Sequence, residues 1–244
     1  MKKIISIALS CALLFNVNFA LASTDTEQVR PSVELSHPYD GLVLFDEQIT
    51  LKSNKTSEIS LTLPEGGHVE YVESDYKRND FSYLIYDKNN ELIAFTENIN
   101  ADDENLYIDS NIIDNKIVNT YVNSGWTNIN DVNTVVYSVK DKPFSYWFFS
   151  GKWANRGGKY PISLMLQHAG TIRTAGRTAA AWNRVVEKFS GDSNWFNEDG
   201  LEKQFRCHAQ YAGIAKAFWN IEPQRPNWNY PSTVASYCNP GSVG

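Results

Sequence analysis

No stretch of this chain reaches the roughly 20 consecutive apolar residues that a membrane-crossing helix needs. Its 14 glycines and 9 prolines among 244 residues are too few for a collagen-like or linker-like chain. Cysteine is scarcer still, at three: Cys11, Cys207 and Cys238. No Cys-x-x-Cys and no His-Glu-x-x-His occurs, which argues against a zinc site and leaves no metal to assign. A Gly-x-Ser-x-Gly elbow and a glycine-rich phosphate loop are also missing, so serine hydrolases and nucleotide-dependent enzymes recede. Nothing in the sequence calls for a cofactor.

What the sequence does contain is enough for a real core: 42% hydrophobic, 13% aromatic and 20% charged residues, in a length that suits one large or two small domains. The chain opens as a signal peptide does. Lys2 and Lys3 precede an apolar stretch from Ile4 to Phe15, a polar break at Asn16 and Asn18, and Ala20-Leu21-Ala22. Cleavage is expected after Ala22, leaving no transmembrane anchor and sending the product to the periplasm or outside the cell. A lipid attachment at Cys11 fits less well, because apolar sequence continues past that cysteine. With Cys11 removed, Cys207 and Cys238 are expected to pair in an oxidising compartment. A thiolate nucleophile at Cys207 would need the opposite redox conditions.

The net charge of −6 conceals a contrast. Residues 23–150 hold 9 basic and 22 acidic side chains, whereas residues 151–244 hold 11 and 6. Two readings follow: the regions face each other electrostatically, or they meet different partners. The basic surplus is too thin, and lacks any reading motif, for a nucleic-acid partner.

Strand patterns dominate up to about residue 142: Leu42–Phe45, Ile49–Leu51, Ile59–Leu63, Tyr83–Tyr86 and Val135–Val139, separated by turn chemistry at Pro64-Glu65-Gly66-Gly67 and Asp87-Lys88-Asn89-Asn90. Their short spacing predicts an antiparallel β-sandwich. Segment 100–116, with Asp102, Asp103, Glu104, Asp109 and Asp114, reads as a solvated acidic loop. It lacks the ligand order of an EF-hand calcium loop.

Beyond this region, Phe144–Phe149 and Tyr160–Leu166 flank Asn155-Arg156-Gly157-Gly158 and predict a hairpin. Trp182, Val185, Val186 and Phe189 recur at helical spacing, predicting a helix over 178–189 that stops near Gly191, with Arg177, Arg184 and Lys188 off its apolar stripe as a solvated or anion-facing set. A second helix is expected to follow Asn197 and run to about Ala212, with Asp199 and Glu202 at capping-box spacing. A short one is expected over 232–238. The predicted class is therefore α+β: leader 1–22, an acidic antiparallel β-sandwich-like domain 23–142, and a basic, disulfide-closed α+β domain 143–244.

Within the last domain stand Gln204-Phe205-Arg206-Cys207-His208-Ala209, Trp219-Asn220-Ile221-Glu222-Pro223, Arg225-Pro226 and Cys238-Asn239-Pro240-Gly241. These elements resemble the C-terminal domain of an exported bacterial family of unknown function, over roughly 150–244. Gln224 stands where that pattern has tryptophan. The resemblance implies export, a disulfide and a shared fold, and no activity.

His208, Glu222 and Arg225 are the candidate catalytic residues, the first two as a general acid/base pair and Arg225 orienting an anionic group. Gln204 and Asn220 are candidate hydrogen-bond donors, and Trp219 and Trp228 candidate stacking surfaces for a ligand. The structural alternative carries more weight: a histidine on an apolar helical face is commonly a satisfied core residue, and Glu222 with Arg225 a buried ion pair. Trp195, Trp219 and Trp228 likewise serve either a sugar or protein contact or the cover of helices and disulfide. The function expected is an exported module binding a cell-envelope or host-surface glycan or protein. The alternative is a secreted effector or hydrolase built on His208 and Glu222.

Overall fold

The computed structural model describes residues 32–35, 47–51, 57–74, 80–98, 106–123, 132–139 and 142–241. The leader, the expected strand Leu42–Phe45 and the acidic trio Asp102, Asp103 and Glu104 lie outside these residues.

The chain is α+β, with three sheets that are mostly antiparallel. The first has the order β1-β3-β8-β7, from β1 (Ser32–Leu35), β3 (Ser57–Thr62), β8 (Lys116–Asn123) and β7 (Leu106–Ile113). The β1–β3 pair is parallel, a departure from all-antiparallel pairing. The second has the order β2-β9-β6-β5-β4, from β2 (Glu47–Leu51), β9 (Val132–Ser138), β6 (Leu92–Asn98), β5 (Phe81–Tyr86) and β4 (His68–Glu73).

Part of segment 100–116 is thus strand rather than loop. Leu106 and Ile108 are buried while Tyr107 and Asp109 are exposed, the period-two alternation of a strand with one covered face. Asp109 sits on the wet face and Asp114 in the Asp114-Asn115 turn, where both residues have positive φ, so acidic side chains coexist with strand structure. No group of three metal-capable side chains occurs among the described residues.

Strands β5 and β6 are buried along almost their whole length, which requires cover on both faces. Tyr83, Ile85, Ile93 and Val136 share one buried cluster with Leu61, Leu106, Ile117 and Tyr121 of the first sheet. Leu84, Leu92 and Phe95 belong instead to a second cluster, shared with the C-terminal region.

The centre of that second cluster is α2 (Ala175–Phe189), begun by the Thr174 cap. It starts three residues before the predicted helix because its first turn is specified by a contact distant in sequence: the Asp80 carboxylate accepts the Ala175 N–H at 3.1 Å. Gly176 permits the close approach. A Cβ there would stand 2.5 Å from Ser82 Oγ and 2.7 Å from a Phe95 ring carbon. Arg177 and Arg184, expected in a solvated or anion-facing set, cross to the acidic region. Arg177 Nε donates to both Glu97 oxygens at 3.0 and 3.1 Å, its Nη2 donates to the Tyr137 hydroxyl, and Arg184 Nη2 donates to the Val139 carbonyl at 2.6 Å.

The third sheet, β10-β11-β12, joins β10 (Phe148–Asn155), β11 (Ile162–His168) and β12 (Phe218–Ile221). The expected hairpin is present, except that Phe144–Trp147 forms one helical turn, α1, after Pro143. Proline's fixed φ suits the start of such a turn. α3 (Glu198–Cys207) ends in a π-helical turn, His208–Ala212. Its start is not a capping box: Asn197 is left-handed and makes no side-chain cap, and Asp199 binds Lys203 and Asn227 instead. The last helix, α4 (Tyr230–Ala235), begins two residues earlier than expected because the Asn229 side chain caps it through Ser232 N–H at 2.9 Å.

Candidate functional site

The Cys207–Cys238 disulfide forms as expected and joins the end of α3 to the residues after α4, with Cα atoms 5.4 Å apart. Around it the sequence-selected residues separate into three settings.

Gln204 is fully buried and used up by backbone. Its Nε2 donates to the Glu222 carbonyl at 3.0 Å and to Gly200 O at 3.1 Å, and its Oε1 accepts from Glu222 N–H at 3.0 Å. Those bonds hold the chain as it leaves β12, and both amide hydrogens are committed.

His208 is 3% exposed and its Nε2 lies 3.1 Å from the Asn220 carbonyl. A carbonyl only accepts, so Nε2 carries the proton and the ring is the neutral tautomer with a lone pair on Nδ1. Nδ1 has no hydrogen-bond partner. Burial pushes the His208 pKa down to about 4, with Lys216 and Arg225 adding repulsion against the Asn220 bond that opposes the shift. Asn220 Oδ1 is likewise buried without a partner.

Glu222 and Arg225 are brought together: Nε of Arg225 stands 2.5 Å from Glu222 Oε2, and Ser163 Oγ donates to Oε1 at 3.3 Å. Arg225 also donates to the Pro240 carbonyl at 3.0 Å and lies 4.8 Å from the Tyr160 ring centre. His208 and Glu222 are not hydrogen-bonded to each other: His208 Nε2 meets the Asn220 carbonyl and its Nδ1 is unpartnered, while the Glu222 carboxylate is held by Ser163 and Arg225. Gln224, at the departing position, accepts the Ile162 N–H at 3.1 Å and so fastens the tail to β11.

The tryptophans divide. Trp219 is wholly buried, stacked on His168 at 4.4 Å and donating to Gly213 O. Trp195 stacks on Trp182 at 5.6 Å and donates to Glu198. Trp228 is 36% exposed, between Asn227 and Asn229.

Those two asparagines line a cleft of about 760 Å³ between the β4 edge of the second sheet and helices α2 and α3. Tyr71, Trp182 and Tyr230 contribute rings to it, and Glu70, Asp199, Lys203 and Arg206 contribute charge of both signs. Its polar groups are fixed in advance. Lys203 Nζ donates to Asp199 at 2.6 Å and to Asn227 at 2.8 Å, and Asn227 Nδ2 donates to Asp199 at 2.7 Å, closing a triangle. Hydrogen bonds from Lys203 first and then Asn227 hold the Asp199 carboxyl below its ordinary pKa. Tyr230 donates to Gln210 Oε1, and Arg206 lies 4.7 Å from its ring centre. Gln210 Nε2 is buried without a partner at the π-helical turn. Sequence reading missed this site because it joins four segments distant along the chain; the one local signal was Asp199 and Lys203 at i, i+4.

These features define an α+β protein whose C-terminal region is closed by one disulfide and packed by a shared helix against an acidic strand region. Residues 149–241 match the model of a family described as "Protein of unknown function (DUF2599)". Similar curated proteins are Uncharacterized protein Mb0487 of Mycobacterium bovis and Uncharacterized protein Rv0477 of Mycobacterium tuberculosis, each 36% identical over 100 residues, covering 37% of this chain and 64% of the relative. The chain thus spans less than two thirds of the length of these relatives. No solved structure matches.

Proposed function

We propose that this chain is an exported binding module that seats a glycan in the cleft between β4 and helices α2 and α3. The observation that carries this reading is the cleft itself: aromatic rings beside charged and amide groups already held in place by one another, an arrangement suited to a hydroxyl-rich ligand. Export after removal of residues 1–22 is supported by the leader pattern and by the Cys207–Cys238 bond. We read residues 23–142 as a β-sandwich-like domain, supported by the buried cluster its two sheets share, and 143–244 as the disulfide-closed domain. A protein ligand is the other occupant to compare. The hydrolase alternative, with His208, Glu222 and Arg225, rests on the depressed His208 pKa and its unpartnered Nδ1. The two carboxylate oxygens of Glu222, however, are already engaged by Ser163 and Arg225.

Calorimetric titration of the mature protein with envelope oligosaccharides tests the proposal. Saturable binding is expected, about tenfold weaker in Asn227→Ala and unchanged in His208→Gln. Release of oligosaccharide fragments by the wild type, lost in folded His208→Gln, would replace it with the hydrolase reading.

A further inference from the structure

A second, smaller pocket of about 380 Å³ opens at the tip of the β10–β11 hairpin, away from the cleft lining. Its walls are Arg156, Gly157, Lys159, Tyr160, Glu222, Arg225 and Gly241. Three cations therefore surround one carboxylate, and that carboxylate is already bound by Arg225 and Ser163. Arg156 and Lys159 are exposed, and among the described residues neither has a carboxylate partner.

The rear wall is rigid. The Arg225 side chain, 11% exposed, is fixed by Glu222, the Pro240 carbonyl and the Tyr160 ring. The front wall is the hairpin loop, which Arg156 N–H closes onto the Pro161 carbonyl at 2.8 Å. There Gly157 and Gly158 both have positive φ, a conformation that costs side-chain-bearing residues energy. A Cβ on Gly157 would meet nothing within 4 Å, so the space beside the loop is open at that position.

We propose that this pocket binds a phosphate group. The surplus of two positive charges matches a phosphate monoester dianion, and arginine's planar donors with a lysine ammonium are the groups that take phosphate oxygens. The volume admits a headgroup-sized ligand. A soluble phosphate ester and an anionic lipid headgroup share this chemistry. The site is independent of the cleft and of the glycan reading.

Titration of the disulfide-intact mature protein with inorganic phosphate, followed by phosphorus NMR line broadening, is the first arm. The second is co-sedimentation with phosphatidylglycerol vesicles beside phosphatidylcholine vesicles. Saturable phosphate binding is expected, weakened about tenfold for each cation removed in Arg156→Ala and in Arg156→Ala/Lys159→Ala. Thermal melting should be unchanged, because both side chains are exposed on the loop. Phosphate binding without phosphatidylglycerol binding assigns a soluble ester. Phosphatidylglycerol binding that added phosphate displaces assigns a lipid headgroup. Failure of both probes to saturate, or equal binding by the double variant, overturns the proposal. So does acetate binding as tightly as phosphate. Asn227→Ala in the cleft should leave phosphate binding intact, so a failed glycan titration does not decide this one.

Discussion

The strand region before residue 139 and the region from residue 142 onward differ in more than the sign of their charge. The first is held by strand ladders and by alternating apolar faces that meet in a common buried cluster. The second ends in a stretch, 222–241, whose regular structure is the short helix α4 and whose backbone groups are satisfied by turn bonds together with side chains from other segments. Gln204 pairs with Glu222, Asn197 Nδ2 donates to the Pro223 and Arg225 carbonyls at 3.1 and 2.9 Å, and Arg225 reaches Pro240 O. A ladder satisfies backbone locally and repeatedly. A tail without one needs a specific polar partner for each buried group, and a covalent tie to keep those partners in reach. Gln204, three residues before Cys207, is such a partner.

This contrast can be broken most directly at the disulfide. Cys207→Ser/Cys238→Ser opens a loop of 31 residues. It should cost about 3–4 kcal/mol in denaturant unfolding, with hydrogen exchange rising in 208–241 ahead of β5 and β6. Equal loss of protection in both regions would show that they unfold as one unit.

The next effect is set by pH. The unfolded His208 titrates near 6.5 and the folded one at about 4, so between these values the unfolded chain binds more protons. The stability present above pH 6.5 is therefore lost as pH falls toward 4, by about 3 kcal/mol at most. Urea unfolding at pH 7 and pH 4.5 measures this. His208→Gln should flatten the difference, and a variant as acid-sensitive as the wild type would place the proton uptake elsewhere.

The seam between the regions gives the smallest expected change. Gly176→Ala gains up to about 1 kcal/mol of helix propensity, against about 1–3 kcal/mol for forcing a Cβ against Ser82 and Phe95. Overpacking wins because Ser82 Cβ and the Phe95 ring are themselves packed, so a net loss of about 1 kcal/mol is expected in thermal unfolding. A gain in stability would mean that α2 moves freely over the sheet.

The regular elements were largely legible in advance. The stripe of Trp182, Val185 and Phe189 predicts α2, and runs such as Tyr83–Tyr86 and Val135–Val139 predict strands, because local hydrophobic periodicity reports burial. β7 was not legible: the acidic residues of segment 100–116 outweighed the alternation of Leu106 and Ile108. Nor was the role of Gln204, which pairs with the backbone of Glu222, 18 residues on, and whose side chain looks polar enough to face a ligand.

Sequence by itself determined the α+β class, the contrast in charge and the pairing of Cys207 with Cys238, since composition, periodicity and the survival of two cysteines after an expected leader are local properties. Only tertiary structure decided that Arg177 meets Glu97, that His208 turns its proton to Asn220 and not to Glu222, and that Asp199, Lys203 and Asn227 share one cleft wall with Tyr230. Each of those depends on which distant segments the buried apolar faces bring together, and hydrogen-bond partners are chosen only after those faces have met.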